Sequence, residues 1–209
     1  MTLETETANE DCYLELRDRT PVIVRRARAR DRGDVVAFVE RLSTDSIELR
    51  FSTPVRPEAV TQEVLGASGS GERVSLLIET IEEVPRIVGN GEYVRYFRDP
   101  SRAEVAFLVT DEFQGRGAST LLLNELARRA RMAGIRWFTA VVMAENFAMR
   151  DVFLRAGFPY RVVCDGPTLL IELDIGEAAD LKAGLYPTHI GRIGQPGGPQ
   201  GLLAPLGVE

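Results

Sequence analysis

The sequence predicts a single α/β domain, α+β in its pairing, built on a mixed central sheet of about seven strands flanked by about four helices. Three observations carry this. Short apolar runs bounded by turn residues recur at 74–79, 103–108 and 137–142. Between the last two runs lies a helical pattern, with Leu123, Leu126, Ala127, Ala130 and Ala133 on one face and Gly134 as a stop. Two further strand-like runs, 160–164 and 168–174, flank Asp165-Gly166-Pro167. No internal repeat is visible.

Taken in order, residues 1–19 read as a flexible acidic lead, with Met1-Thr2-Leu3-Glu4-Thr5-Glu6 lacking a basic-then-apolar signal pattern. The domain spans 20–175. Pro21-Val22-Ile23-Val24-Arg25-Arg26 is its first strand. Asp31 is placed to cap a helix carrying Val35, Val36, Phe38, Val39 and Leu42. A helical section follows at 44–50, and another opens at Pro57, a good first helical residue, and runs to Leu65. Gly66 to Gly71 is a loop by composition. The runs 74–79 and 85–94 read as adjacent strands, with a hairpin as one way to join them, ahead of the central strand 103–108. After the long helix and the strand at 137–142, Asn146 can cap a short helix that Gly157 ends. Residues 176–209 are rich in glycine and proline and read as a poorly ordered tail. A partner-docking segment at Leu185-Tyr186-Pro187 and Leu202-Leu203 is the alternative.

The chemistry is concentrated where the central strand meets its helix, at Gln114-Gly115-Arg116-Gly117-Ala118-Ser119. The first amides of a helix have no partner inside it, and the macrodipole is positive there. Glycines at 115 and 117 let an oxygen-rich group approach the backbone, and Arg116 adds charge. The residues point to a phosphate or diphosphate cradle. Thr120 stands where a dinucleotide fingerprint needs its third glycine, and no Gly-Lys-Ser/Thr closes a P-loop.

Composition narrows the class. Hydrophobic content of 44% and charged content of 27% suit a globular protein. No run approaches the ~20 apolar residues of a membrane span, and the chain reads as cytoplasmic. A net charge of -6 argues against nucleic acid as partner. Cys12 and Cys164 are not spaced for metal, and the single histidine, His189, lies in the tail, so no metal site is expected.

The Gln114–Ala118 turn resembles the acyl-CoA diphosphate loop of the GNAT N-acetyltransferase superfamily. The order strand, two helices, three strands, helix, strand, helix, two strands is similar to that fold across 20–175. So is Glu145-Asn146 through Ala148-Met149 to Gly157-Phe158. Ala103-Glu104-Val105-Ala106 before the loop, with Leu42-Ser43 to Leu49-Arg50-Phe51, resembles the bacterial protein-lysine acetyltransferase (Pat) branch. Members of that branch acetylate a lysine of acyl-CoA synthetases.

The resemblance implies acetyl-CoA as donor and a protein lysine as acceptor, with an acyl-CoA synthetase as one target and a homodimer left open. It assigns Gln114, Gly115, Arg116, Gly117, Ala118 and Ser119 to the diphosphate. Backbone of Leu108 and Val109 would hold the pantetheine arm like an added strand, and Asn146 would approach the pantetheine or acyl end. Glu104 would be the general base, because a lysine with a pKa of about 10.4 must lose a proton before it attacks. Glu79, Glu82, Glu83, Glu92 and Asp111 are alternatives read as surface charges or acceptor contacts. Amides near Val109 would polarise the thioester carbonyl. Phe153 departs from the pattern, since many members carry a tyrosine there to protonate the leaving thiolate. Two other functions stay open: acetylation of a small-molecule amine, and a CoA-binding module without turnover.

Overall fold

A computed structural model describes residues 11–51, 53–66 and 72–176. The first ten residues, most of the 66–71 loop and the tail with His189 lie outside the described residues. The elements are β1 Cys12–Glu15, β2 Pro21–Arg26, α1 Arg32–Glu40, α2 Thr44–Phe51, α3 Pro57–Leu65, β3 Arg73–Thr80, β4 Ile87–Arg95, β5 Arg102–Val109, α4 Ala118–Met132, β6 Trp137–Met143, α5 Phe147–Leu154, β7 Tyr160–Asp165 and β8 Thr168–Asp174. Short 3-10 turns precede α1 and follow β5.

All eight strands join one sheet in the order β1-β2-β3-β4-β5-β6-β8-β7. The sheet is mixed because β5 and β6 run parallel, joined by the α4 crossover, while every other neighbouring pair is antiparallel. The expected seven strands become eight through β1. Cys12 lies opposite Val24 and Glu15 opposite Pro21, so residues placed in the acidic lead pair with the sheet.

Each face of the sheet carries its own apolar cluster. On one face α4 contributes Leu122, Leu123, Leu126 and Ala130, and α5 contributes Phe153, packed against alternate residues of β3 to β6 and β8. On the other, Val35 and Phe38 of α1 and Val60 and Val64 of α3 cover Leu77, Ile87 and Leu108. Helix α4 rides close to the sheet at Gly91, where a β-carbon would lie 2.9 Å from the Phe107 ring and 3.0 Å from Leu122 Cβ.

Three side chains depart from their expected roles. Asp31 stands at the N-cap position of α1 without bonding the helix. Its carboxylate instead accepts from the Arg28 amide and the Arg25 guanidinium, each at 2.8 Å. Glu125, a charged residue off the apolar face read for α4, is nevertheless buried and holds Arg128 and Arg129 at 2.9 and 2.7 Å. Burial pushes its carboxyl up, and the hydrogen bonds from the two arginines outweigh this and hold it below the ordinary value. Ala133 lies past the end of α4 and is exposed.

Candidate active site

The site opens where the sheet parts. Strands β5 and β6 pair only from Arg102–Trp137 to Glu104–Thr139, although β5 continues to Val109 and β6 to Met143. The last five residues of β5 therefore have no strand on that side. A cleft of about 800 Å³ fills the gap, bounded by β5, β6, α2, α5 and the start of α4. Backbone groups along such an edge need partners from a ligand or water.

At the head of the cleft stands the β5–α4 turn. Gly115 at φ +72° and Gly117 at φ +90° occupy left-handed backbone that suits glycine. Gly117 is the N-cap of α4 and offers no side chain to the first amides. Those donors, at the positive end of a 15-residue helix, face the cleft through Ala118, Ser119 and Thr120. Amides of this kind beside glycines can take a phosphate or diphosphate, and the open β5 edge leads away from them.

Of the residues assigned from sequence, Leu108, Val109, Gln114, Gly115, Gly117, Ala118, Ser119, Asn146 and Glu104 all line this cleft. Arg116 does not. Its guanidinium pairs with Asp18 at 3.2 Å and stacks 4.7 Å from the centre of the Phe113 ring. The Gln114 amide also looks inward to the protein, donating to Ser46 Oγ at 3.0 Å and to the Val109 carbonyl and Asp111 Oδ1 at 3.3 Å. Gln114 thus shapes the loop. Asp111, considered as a base, is occupied by the Ser43 and Ser46 hydroxyls at 3.1 and 2.8 Å.

Glu104 lies half-buried on the cleft floor, in the last row before β5 and β6 separate. Its neighbours across the sheet are Val94 and Thr139. The Tyr96 phenol is nearby and stays protonated: burial raises its pKa most, and the Glu104 charge adds to this. Three of the other carboxylates have partners elsewhere. Glu79 pairs with Arg25 at 2.6 Å, and Glu82 lies 3.5 Å from Arg86. Glu92, expected on the surface, is buried between Arg50 at 2.9 Å and Arg73 at 2.6 Å. Burial lifts its carboxyl to about 7, against the pull of Arg73 and Arg50.

On the β6 side, Asn146 caps α5, its Oδ1 accepting from the Met149 amide at 3.0 Å. Its Nδ2 makes no hydrogen bond among the described residues, and the residue lines the cleft. Phe153 is buried against Phe107, ring centres 5.7 Å apart, and supplies no proton. Sequence reasoning passed over Arg17, which also lines the cleft; no local motif marks a residue that arrives from a distant turn. Among the described residues no group of three or more His, Cys, Asp or Glu could hold a metal ion. No described helix is long and apolar enough to cross a membrane.

Residues 4–158 match the family model described as Acetyltransferase (GNAT) family. Acetyltransferase Pat of Mycolicibacterium smegmatis is 29% identical over 133 residues, 64% of this chain, and the aligned part spans 39% of that longer protein. Acetyltransferase PA5475 of Pseudomonas aeruginosa is 27% identical over 145 residues, 68% of this chain and 77% of the relative. Among solved structures, the GNAT domain of S. lividans PAT superposes with a TM-score of 0.69 at 30% identity, covering 78% of this chain and 96% of that one. A cleft between splayed strands, a glycine turn opening a helix at its head, and these relatives converge: the chain belongs to the GNAT family of acetyl-CoA-dependent acetyltransferases.

Proposed function

We propose that the protein transfers acetyl from acetyl-CoA to the side-chain amine of a protein lysine, by direct attack in a ternary complex with Glu104 as general base. The position of Glu104 carries this reading. It is the carboxylate at the row where the strands part, one short step before the β5 edge that would hold the pantetheine arm. An acceptor amine entering beside it meets both a proton acceptor and the thioester. The face that carries Glu104 is uncovered on its far side, with Val141 55% and Val163 38% exposed. Three strands, β6, β8 and β7, offer a surface of roughly 15 Å there, which suits a macromolecular acceptor. The Pat names of two relatives point the same way, with an acyl-CoA synthetase as the target to try first.

The coenzyme would supply an acetyl group activated as a thioester. The uncapped amides of 118–120 would hold its diphosphate, and the Val109 region would donate to the carbonyl oxygen as negative charge develops. Glu104 would take the ammonium proton directly or through one water; the neutral amine would then attack the carbonyl carbon, and as the carbon–sulfur bond breaks the second amine proton would leave through water. Phe153 leaves protonation of the departing thiolate to water, tolerable for a thiol with a pKa near 8.5.

Radiolabelled acetyl-CoA offered with an acyl-CoA synthetase, lysine peptides and a panel of free amines tests the proposal. Label should enter protein lysine, and Glu104→Gln should lower kcat by about 10²- to 10⁴-fold with the KM for acetyl-CoA little changed. Equal rates for wild type and Glu104→Gln would remove the base assignment. Turnover confined to free amines would remove the protein acceptor.

A further inference from the structure

We propose that Arg17, in the turn between β1 and β2, is a ligand for a phosphoryl group of the coenzyme, so that a segment outside the glycine turn completes the cradle. The inference rests on reading the Gly115–Ser119 turn as a diphosphate site. Arg17 sits far from that turn in sequence and against it in space. Its amide donates to the Arg116 carbonyl at 2.9 Å. Its side chain crosses Gly117, where a β-carbon would lie 3.0 Å from Arg17 Cγ and 3.2 Å from Nε.

The corner is fixed on both sides. Leu16 is buried in the core, and Asp18 pairs with Arg116 at 3.2 Å while accepting from the Thr20 amide at 3.1 Å. The loop's own arginine is thus tied to the corner by Asp18, whereas Arg17 lines the cleft beside the glycine turn. Among the described residues it has no carboxylate partner. A cation held over the N-terminus of α4 opposes the positive end of that helix. An anion lying between them would turn that opposition into two attractions, and a guanidinium beside helix amides without intrahelical partners suits a phosphate.

Calorimetry of the wild-type chain and of Arg17→Gln and Arg17→Lys with CoA, 3′-dephospho-CoA and pantetheine tests this, with thermal melts as the control for folding. Arg17→Gln should weaken CoA by about 10- to 100-fold, with Arg17→Lys in between, and leave pantetheine unchanged. A loss that persists with 3′-dephospho-CoA identifies the diphosphate as partner; a loss that vanishes identifies the 3′-phosphate. Either supports the assignment. Wild-type CoA affinity retained in a folded Arg17→Gln protein would overturn it, as would equal weakening of pantetheine. A wild-type chain that binds none of the three would instead overturn the cradle itself.

Discussion

Arg50 and Glu92 meet at 2.9 Å across the gap between helix α2 and the sheet. The contact matters because α2 buries none of its residues, yet it borders the cleft. Ile47 and Phe51 pack half-buried against the core, and polar ties add to them: Ser43 and Ser46 to Asp111 at one end, Arg50 to Glu92 and Glu63 at the other.

Glu92 makes one of these ties sensitive to pH. Its carboxyl is pushed up to about 7 from an ordinary 4.5. Below pH 4.5 the group is protonated whether or not the chain is folded. Between there and pH 7 the folded protein keeps a proton that the unfolded chain has lost. The contribution is therefore complete at low pH and is lost as pH rises through the folded value. Thermal melts of wild type and Glu92→Gln from pH 5 to 8 should show the balance moving toward the glutamine variant as pH rises, then levelling above 7. A pH-independent difference would place the titration elsewhere.

Gly117→Ala should damage both stability and binding. The left-handed backbone at φ +90° costs an alanine about 1 kcal/mol or more, and its β-carbon would push on Arg17 at 3.0 Å. Gly115→Ala meets the same backbone strain at φ +72° with nothing within 4 Å of the new carbon. Urea melts should rank the variants wild type, Gly115→Ala, Gly117→Ala. The KM for acetyl-CoA should rise about tenfold further for Gly117→Ala than for Gly115→Ala.

Asn146 combines two roles that substitution can separate. Its Oδ1 caps α5 through the Met149 amide, and the residue lines the cleft with Nδ2 unbonded among the described residues. Asn146→Asp keeps the capping acceptor and loses the donor; Asn146→Ala loses both. Alanine should cost about 1 kcal/mol of stability and aspartate far less. Both should raise the KM for acetyl-CoA to a similar degree if the amide donor touches the pantetheine arm. A KM that tracks stability would leave only the cap.

How much of this could be read in advance depends on where each partner lies. The β5 strand, the turn and α4 were legible because their signals are local: an apolar run, then two glycines that the backbone needs at 115 and 117, then a 3.6-residue stripe. Pro57 and Asn146 announced helix starts for the same reason. Strand β1 was hidden, since it has only four residues and Tyr13 is apolar although it faces out, so the alternating exposure does not show as an alternation of residue type. The charges were misjudged when their partners came from elsewhere. Glu92 looks like a surface residue until Arg50, 42 positions away, reaches it, and Asp31 looks like a cap until Arg25 folds over it. The place of Arg116 in the loop is local information, whereas its pairing with Asp18 is not. Arg17 illustrates the converse, a residue with no motif that tertiary structure delivers to the cleft.

The turn that delivers it carries strain. Arg19 has φ +67°, and among the described residues it alone adopts a positive φ without being glycine. The turn requires it: the Arg19 amide donates to the Leu16 carbonyl at 2.9 Å, and the Leu16 amide donates to the Thr20 carbonyl at 3.0 Å. A residue with a β-carbon is held there at a cost of roughly 1–2 kcal/mol, part of which glycine would recover before its own greater loss of chain entropy. Arg19→Gly should therefore stabilise the protein by about 0.5–1 kcal/mol, seen as a higher urea midpoint at unchanged slope. Affinity for CoA should stay the same, because the backbone path that presents Arg17 is preserved. Arg19→Val should do the opposite, since branching at the β-carbon makes left-handed backbone costlier, and should shift the corner enough to weaken CoA. If glycine destabilised the chain, the Arg19 side chain would have to make a favourable contact that outweighs its backbone strain.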